Sequence, residues 1–398
     1  MIYRNLKEKL NLDKKKNKAI VSHYINTLGF EANKYYNDAE EILEINNVSI
    51  EKISKNNDFM IKNIKKKFTF IDLFAGIGGM RIAMENLGGK CVFSSEIDKF
   101  AIQTYEYNFD EHPFGDIKNI EEESVPEHDI LLAGFPCQSF SIAGNRGGFE
   151  DTRGTLFFDA ARIIDKKRPS AFILENVKGL QSHDGGKTLK TILNTLRNDL
   201  NYFVPDPKVL NSKYFNVPQN RERIFIVGFR KDLNVEEFKY PEEEKETKLT
   251  FEDVMEEEVV STKYYLSDTY LETLRKHKKR HQRKGNGFGY EIIPHDGIAN
   301  AIIVGGMGRE RNLIIDHRIE DYTPVTNIKG EVNREDVRRM TPIEWKRLQG
   351  FPKKFKFPVS DTQAYKQLGN SVTVPVVQAI GHEIVKVIEK LDEKVLTA

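Results

Sequence analysis

The chain has 398 residues, 39% hydrophobic and 30% charged, with a formal net charge of +1; this is the balance of a globular protein able to bury a substantial core, and it gives no global argument for a polyanionic partner. Its two cysteines, Cys91 and Cys137, exclude a disulfide framework or a four-cysteine metal site within the chain. No apolar run approaches the roughly 20 residues of a membrane span and the first residues lack the apolar core of a signal peptide, so a cytoplasmic protein is expected.

Residues 1–66 are rich in Lys, Asn, Glu and Ile, with patchy helical periodicity from His23 to Leu28 and from Ala39 to Leu43. They predict a helical extension of unknown role. From Phe68, β-rich runs alternate with helical patterns (FTFIDLF, GMRIAMENLG, KCVFSSE, KFAIQTYEYNF, DILLAGF, LFFDAARIIDKK, AFILENV, KTLKTILNTLRNDL, ERIFIVGF). Strands and helices of that length predict an α/β domain over residues 67–235, with a mostly parallel, doubly wound sheet. Ligands of such sheets sit beyond the carboxyl ends of the strands, so the residues following each strand are the candidates. Past Arg230 the alternation stops, an acidic stretch follows, and residues 236–335 read as a second, smaller, irregular domain. It contains RKHKKRHQRK, Arg275–Lys284, in which seven of ten residues are Lys or Arg. Helical patterns return in TPIEWKRLQGF and VPVVQAIGHEIVKVIEKL, so residues 336–398 are expected to pack back on the sheet or to bridge the two domains.

FIDLFAGIGGMRIAM is a strand, a turn with Gly76, Gly78 and Gly79, and a helix, and Glu96 lies about 20 residues on, after the next strand. Glycines admit a ligand close to the backbone, and a carboxylate at that distance can accept both hydroxyls of a ribose; a tight turn without a ligand is the alternative. The glycine spacing departs from the dinucleotide pattern, as suits a nucleoside with no pyrophosphate. Asp116 in FGDIKNI is either positioned for an adenine amino group or part of a surface turn. DILLAGFPCQSFSIAG puts Cys137 directly after a strand, and most single cysteines are buried fillers. Here Pro136, Gln138, Ser139 and Ser141 speak against the core, and a nucleophilic thiolate would need positive or N–H neighbours to depress its pKa. AFILENVKGL ends in Glu175-Asn176, where the carboxyl either caps a helix or protonates a ring nitrogen. In QNRERIFIVGF, Arg221 and Arg223 point to one side if extended; they suit an anion or the orientation of a carboxylate, or form a surface ion pair.

In their order, the blocks DLFAGIGG, SSEID, GDI, GFPCQSFS, ENVKGL, QNRERIFIVGF, RRMTPIEWKRLQGFP and AYKQLGNSVTVPVV resemble the cytosine-5 DNA methyltransferase family, from about Phe68 to Ile384. The resemblance implies a Rossmann-like methyltransferase fold, S-adenosylmethionine as cofactor and no metal. It makes Cys137 the nucleophile, sets Glu175 at N3 of a flipped cytosine, and has Arg221 and Arg223 hold the base and its surroundings. Phe74, Ala75, Gly76, Gly78, Gly79, Glu96, Ile97, Asp116, Ile117, Pro136, Leu156, Asn370, Ser371 and Val372 would line the cofactor site. Ile97 stands where many members have Trp, so stacking on the adenine should be weaker. Gln138, Ser141, Lys278, Lys279, Arg280, Arg309 and Arg311 are expected at the DNA.

Three rivals are weighed. The tRNA cytosine-5 methyltransferases are similar but have a small second domain, whereas the long segment from Val260 to Asn333 with its basic cluster favours double-stranded DNA. Against an inactive regulator acting through residues 1–66 stand the intact Cys137, Glu175 and Arg223. A nicotinamide oxidoreductase leaves the GFPCQSF and ENV blocks unexplained. The segment with KGNGFGYEII, GIANAIIVGGMGRERNL and TPVTNIKGEVNRE is similar to that of modification enzymes recognising CCGG at its inner cytosine. That similarity implies a bacterial restriction-modification system, whose endonuclease is a genetic rather than a physical partner, with a solitary or phage-borne enzyme as the alternative; a monomer is expected. Because every block follows Phe68, the extension is expected to be dispensable for methyl transfer.

Overall fold

The computed structural model describes residues 3, 15–27, 35–46, 48, 68–136, 156–244, 248–305 and 307–397. Two helices, α1 (Lys15–Thr27) and α2 (Tyr36–Ile45), precede the first strand. Then come β1 (Phe68–Leu73), α3 (Gly79–Glu85), β2 (Gly89–Ser95), α4 (Lys99–Phe109), β3 (Ile130–Gly134), α5 (Leu156–Lys167), β4 (Ala171–Val177), α6 (Lys187–Asn194), β5 (Tyr202–Phe203), β6 (Lys208–Asn211), β7 (Gln219–Asn220) and β8 (Glu222–Arg230). Every residue of β1 is buried, as expected of a strand covered on both faces.

The main sheet has the order β2-β1-β3-β4-β8-β5, with β6 also paired to β8. Strands β1 to β4 are mutually parallel, and β8 runs antiparallel to β4, β5 and β6. The reversal has a consequence for the site. The first residues of β8, rather than its last, meet the carboxyl ends of the parallel strands, so Arg223 pairs with Val177 and Phe225 with Glu175.

The chain then turns irregular. Among the described residues it forms α7 (Asp268–Arg283), β9 (Ala299–Asn300), β10 (Leu313–Ile315) and β11 (Val337–Arg339), with the two-stranded pairings β7 with β9 and β10 with β11 and a few isolated bridges. Two small apolar clusters hold this part, one around Leu266, Leu271, Leu274, Leu313 and Val337, the other around Val260, Tyr265, Ile319 and Val332. The C-terminal helices are α8 (Pro342–Leu348), α9 (Asp361–Asn370) and α10 (Val374–Thr397). α10 lies on α3 so closely that a Cβ at Gly381 would sit 2.7 Å from the Met84 sulfur. By length and hydropathy Asp361–Leu391 would pass for a membrane span, although its uninterrupted apolar runs are short. It is two helices broken at Ser371–Thr373, and half of its most apolar window is buried in the molecule.

The described part of the N-terminal extension packs on the catalytic sheet. Ile20, Val21, Tyr24, Ile25 and Leu43 join Phe93, Phe114 and Ile117 in one core cluster. His23 Nε2 lies 3.2 Å from the Ser94 N–H on the outer edge of β2 and 3.0 Å from Glu111. The Tyr35 hydroxyl donates to the Ser124 carbonyl, and its ring stacks on Phe114.

Candidate active site

At the carboxyl edge of β1 to β4 opens a cavity of about 670 Å³, within the range of small-molecule sites. β1 ends in a turn where Phe74, Gly76 and Gly78 all have positive φ. A Cβ at Gly76 would meet open space, whereas one at Gly79 would strike Ser371 and Val372. Gly79 is therefore what lets the segment between α9 and α10 close over the turn. Glu96, after β2, accepts the Gly76 N–H on Oε2 (2.7 Å) and the Ile97 and Asp98 N–H groups on Oε1. Its carboxylate thus fixes the glycine turn against the next loop. Asp116 caps a single 3₁₀ turn by accepting the Lys118 N–H.

Of the expected cofactor residues, Phe74, Ala75, Gly76, Gly79, Glu96, Ile97, Asp116, Ile117, Pro136, Leu156, Asn370, Ser371 and Val372 line this cavity. Gly78 does not: its requirement is packing, because a Cβ there would lie 2.3 Å from the Phe109 ring. Ile97 is 70% exposed at the cavity wall.

Glu175, Arg221 and Arg223 line the same cavity. Glu175 and Arg223 are diagonal neighbours across β4 and β8, with Oε1 and Nε 3.1 Å apart. Burial pushes the Glu175 carboxyl up from its ordinary range, against the pull of Arg223 and Arg221. Arg221 differs from its neighbour. It is 2% exposed and donates to the carbonyls of Ile302, Gly369 and Ser371, tying the irregular half and the α9–α10 junction to β8. Cys137, Gln138 and Ser141 lie outside the described residues. The strand leading to them is held by Asn176, whose side chain donates to the Phe135 carbonyl (2.9 Å).

Sequence reasoning missed the buried amides. Gln219 donates to the Leu348 carbonyl and accepts the Ile302 N–H, while Gln349 donates to the carbonyls of Leu368 and Ser371. It also missed Lys366, which bridges α9 to the cap of α4 through Asp98 (2.7 Å). The candidate DNA residues are dispersed. Lys279 and Arg280 are exposed on α7, but Lys278 is turned inward, donating to the Tyr290 carbonyl with its ammonium over the Tyr290 ring. Arg309 lies over Tyr365, and Arg311 is paired with Glu291.

A parallel sheet with one reversed strand, an open glycine turn after β1 and a carboxylate after β2 are the frame of a methyltransferase that takes its methyl group from S-adenosylmethionine. Residues 68–386 match the family described as C-5 cytosine-specific DNA methylase, and the chain belongs to that family; it is a DNA cytosine-5 methyltransferase with S-adenosylmethionine as methyl donor. It is 67% identical to the type II methyltransferase M.HpaII of Haemophilus parainfluenzae, over 83% of this chain and 91% of the relative. Identity to M1.ScrFI of Lactococcus lactis subsp. cremoris is 47%, over 81% of this chain and 79% of that one, and to M.HhaI of Haemophilus parahaemolyticus 42%, over 79% and 93%. The fold is also that of the S. pombe Dnmt2 methyltransferase structure, with a TM-score of 0.60 at 20% identity over 82% of this chain and 99% of that one.

Proposed function

We propose that the chain methylates the inner cytosine of CCGG in duplex DNA as the modification half of a restriction-modification system, acting as a cytoplasmic monomer. It is 67% identical to a type II enzyme over 83% of its length, and base readout belongs to the irregular segment. The observation that carries the reaction is the partly buried Glu175–Arg223 pair in the same cavity as the glycine turn and Glu96.

In this reading a cytosine leaves the helix stack and enters beside Glu175. The Cys137 thiolate bonds to C6, while Glu175, whose hold on a proton burial strengthens, donates to N3. Arg223 orients that carboxyl, and Arg221 fixes the backbone around the base. S-adenosylmethionine, when bound, supplies the methyl group to C5; Glu96 and Asp116 would hold its nucleoside end and the Asn370–Val372 segment would cover it. The C5 proton then passes to water, its electron pair re-forms the C5–C6 double bond, the C6–S bond breaks to return Cys137 as thiolate, and N3 gives its proton back to Glu175. Lys279 and Arg280 would contact phosphates. Arg309, with Gln138 and Ser141, would lie along the DNA.

Tritiated methyl transfer to duplexes differing only at one CCGG tests this. Label should enter the CCGG duplex, and bisulfite sequencing should place it at the inner cytosine. Methylcytosine at other motifs with CCGG unmodified would refute the specificity, and label entering tRNA instead would refute the substrate.

A further inference from the structure

Asp116 and Ile117 stand on the cavity wall, but the turn that carries them has little holding it from within. It is a single 3₁₀ turn, Ile117–Asn119, closed by the Asn119 N–H on the Asp116 carbonyl (3.0 Å) and the Ile120 N–H on the Ile117 carbonyl (3.1 Å). So short a turn has poor hydrogen-bond geometry and takes its place from what is fastened to it. Arg162 of α5 is fastened to it from outside. Its Nη2 donates to the Ile117 carbonyl (2.5 Å), and its Nη1 donates to the Ile120 carbonyl (2.8 Å) and to the Glu122 carboxylate (2.6 Å). Nε donates to Asp159, one turn back on α5 (3.2 Å). All three nitrogens of the guanidinium are thus engaged. α5 also brings Leu156 to the cavity, so the fork ties one part of the wall to another.

Arg162 itself does not line the cavity; what it reaches is the backbone that follows Asp116. A carboxylate that accepts the amino group of an adenine must be held in direction as well as in place, because a hydrogen bond weakens steeply once it bends. We propose that Arg162 is the positioning residue for adenine recognition: by holding the Ile117 and Ile120 carbonyls in one fork, it aims the Asp116 carboxylate at the 6-amino group of the cofactor. The planar fork is what suits the task, since a lysine ammonium offers its donors from a single point and does not span two carbonyls in the same way. Electrostatics supplies the competing account. Burial pushes the Asp159 carboxyl up, Arg162 and Lys118 oppose the rise, and Asp116 adds to it, so Arg162 and Asp116 share one electrostatic neighbourhood. If charge alone counted, lysine would serve as well as arginine.

The inference rests on reading Asp116 at the adenine. The test is calorimetric titration of the full chain with S-adenosylhomocysteine and with S-inosylhomocysteine, in which an oxygen replaces the 6-amino group. The parent should prefer S-adenosylhomocysteine by about tenfold or more, the worth of one hydrogen bond to a charged group. Arg162→Met should weaken S-adenosylhomocysteine by about tenfold and the inosine ligand by less than about threefold, so that the preference collapses. Arg162→Lys should resemble Arg162→Met rather than the parent, and it carries the test should the methionine variant not fold. In an Asp116→Ala background, Arg162→Met should cost less than about a further twofold, because the two residues act as one unit. Glu122→Gln, which loses an ion pair but leaves both carbonyl contacts, should bind S-adenosylhomocysteine within about twofold of the parent. Equal weakening of both ligands would make Arg162 a folding residue, and full rescue by lysine would reduce it to a charge. Independent effects in the double variant, or a Glu122→Gln variant as weak as Arg162→Met, would likewise overturn the proposal. If the parent shows no preference, or Asp116→Ala leaves it intact, the reading of Asp116 fails; if Asp116→Ala abolishes the preference and Arg162→Met does not, only the Arg162 proposal fails.

Discussion

Glu175 and Arg223 show why some residues declare themselves in a sequence. Each sits within a block whose composition is tied to its chemistry, so a carboxyl late in β4 and a guanidinium early in β8 are foreseeable from ENV and RER, although their meeting at one sheet edge is not. Their consequence is testable through the covalent step. A target cytosine bearing fluorine at C5 cannot release a proton there, so the protein should form a denaturant-resistant adduct with 5-fluorocytosine duplex, dependent on S-adenosylmethionine. The adduct should vanish in Cys137→Ser, whose hydroxyl holds its proton more tightly, and persist in Cys91→Ser. Cys91 is fully buried and its thiol is pushed far up by burial, so it offers no thiolate. Glu175→Gln should slow adduct formation by about a hundredfold or more, the low end of a general acid's contribution being about 10². Denaturing electrophoresis with labelled duplex reads all four, and an adduct surviving loss of Cys137 would end the mechanism. Asn176 and Gln349 were not legible in the same way. A side-chain amide acquires its role from a carbonyl far along the chain, and the sequence around it carries no trace of that partner.

At the scale of elements, the alternation of strands and helices was readable because each strand is an apolar run of the right length. The direction of β8 was not, since hydrophobicity has no polarity along the chain, yet that direction is what puts Arg223 beside Glu175. The extension is a case where composition does not say what a segment packs on. A segment rich in Lys and Asn suggested something separable, but α1 inserts Ile20, Tyr24 and Ile25 against Phe93 and Phe114, and its Asn26 donates to the carbonyls of Phe109 and Asp110. Phe114 bridges to Ser95 and leads two residues on to Asp116, so α1 and α2 back the loop expected at the adenine. Deleting residues 1–46 should therefore lower the melting temperature by roughly 5 °C or more and weaken S-adenosylhomocysteine binding, measured by calorimetry. A truncated protein with unchanged stability and affinity would show that α1 and α2 do not support the loop at Asp116.

For the whole molecule, the question is what fixes the irregular half, which has little sheet of its own, against the catalytic body. Buried polar contacts do much of this. Arg221 and Gln219 reach Ile302, while Arg338 in β11 binds Asp316 of the irregular half and, with both terminal nitrogens, Glu344 of α8. Arg338, Asp316 and Glu344 are each at most 1% exposed. Removing one member of such a set leaves charges buried without compensation, which costs about 3–5 kcal/mol. Arg338→Met should lower unfolding stability by that amount in urea titration at 25 °C. Arg338→Met combined with Glu344→Gln should recover part of the loss, because glutamine can still accept the Thr341 N–H that completes the capping box of α8 but brings no stranded charge. The Asp316 carboxylate keeps Arg318 in either variant. Since the glycine turn and Glu96 lie on β1 and β2, S-adenosylhomocysteine affinity should change little, while duplex affinity falls as the irregular half loosens. Equal stability of the single and double variants would mean that the packing of the arginine stem, rather than the buried charge of Glu344, is what this junction depends on.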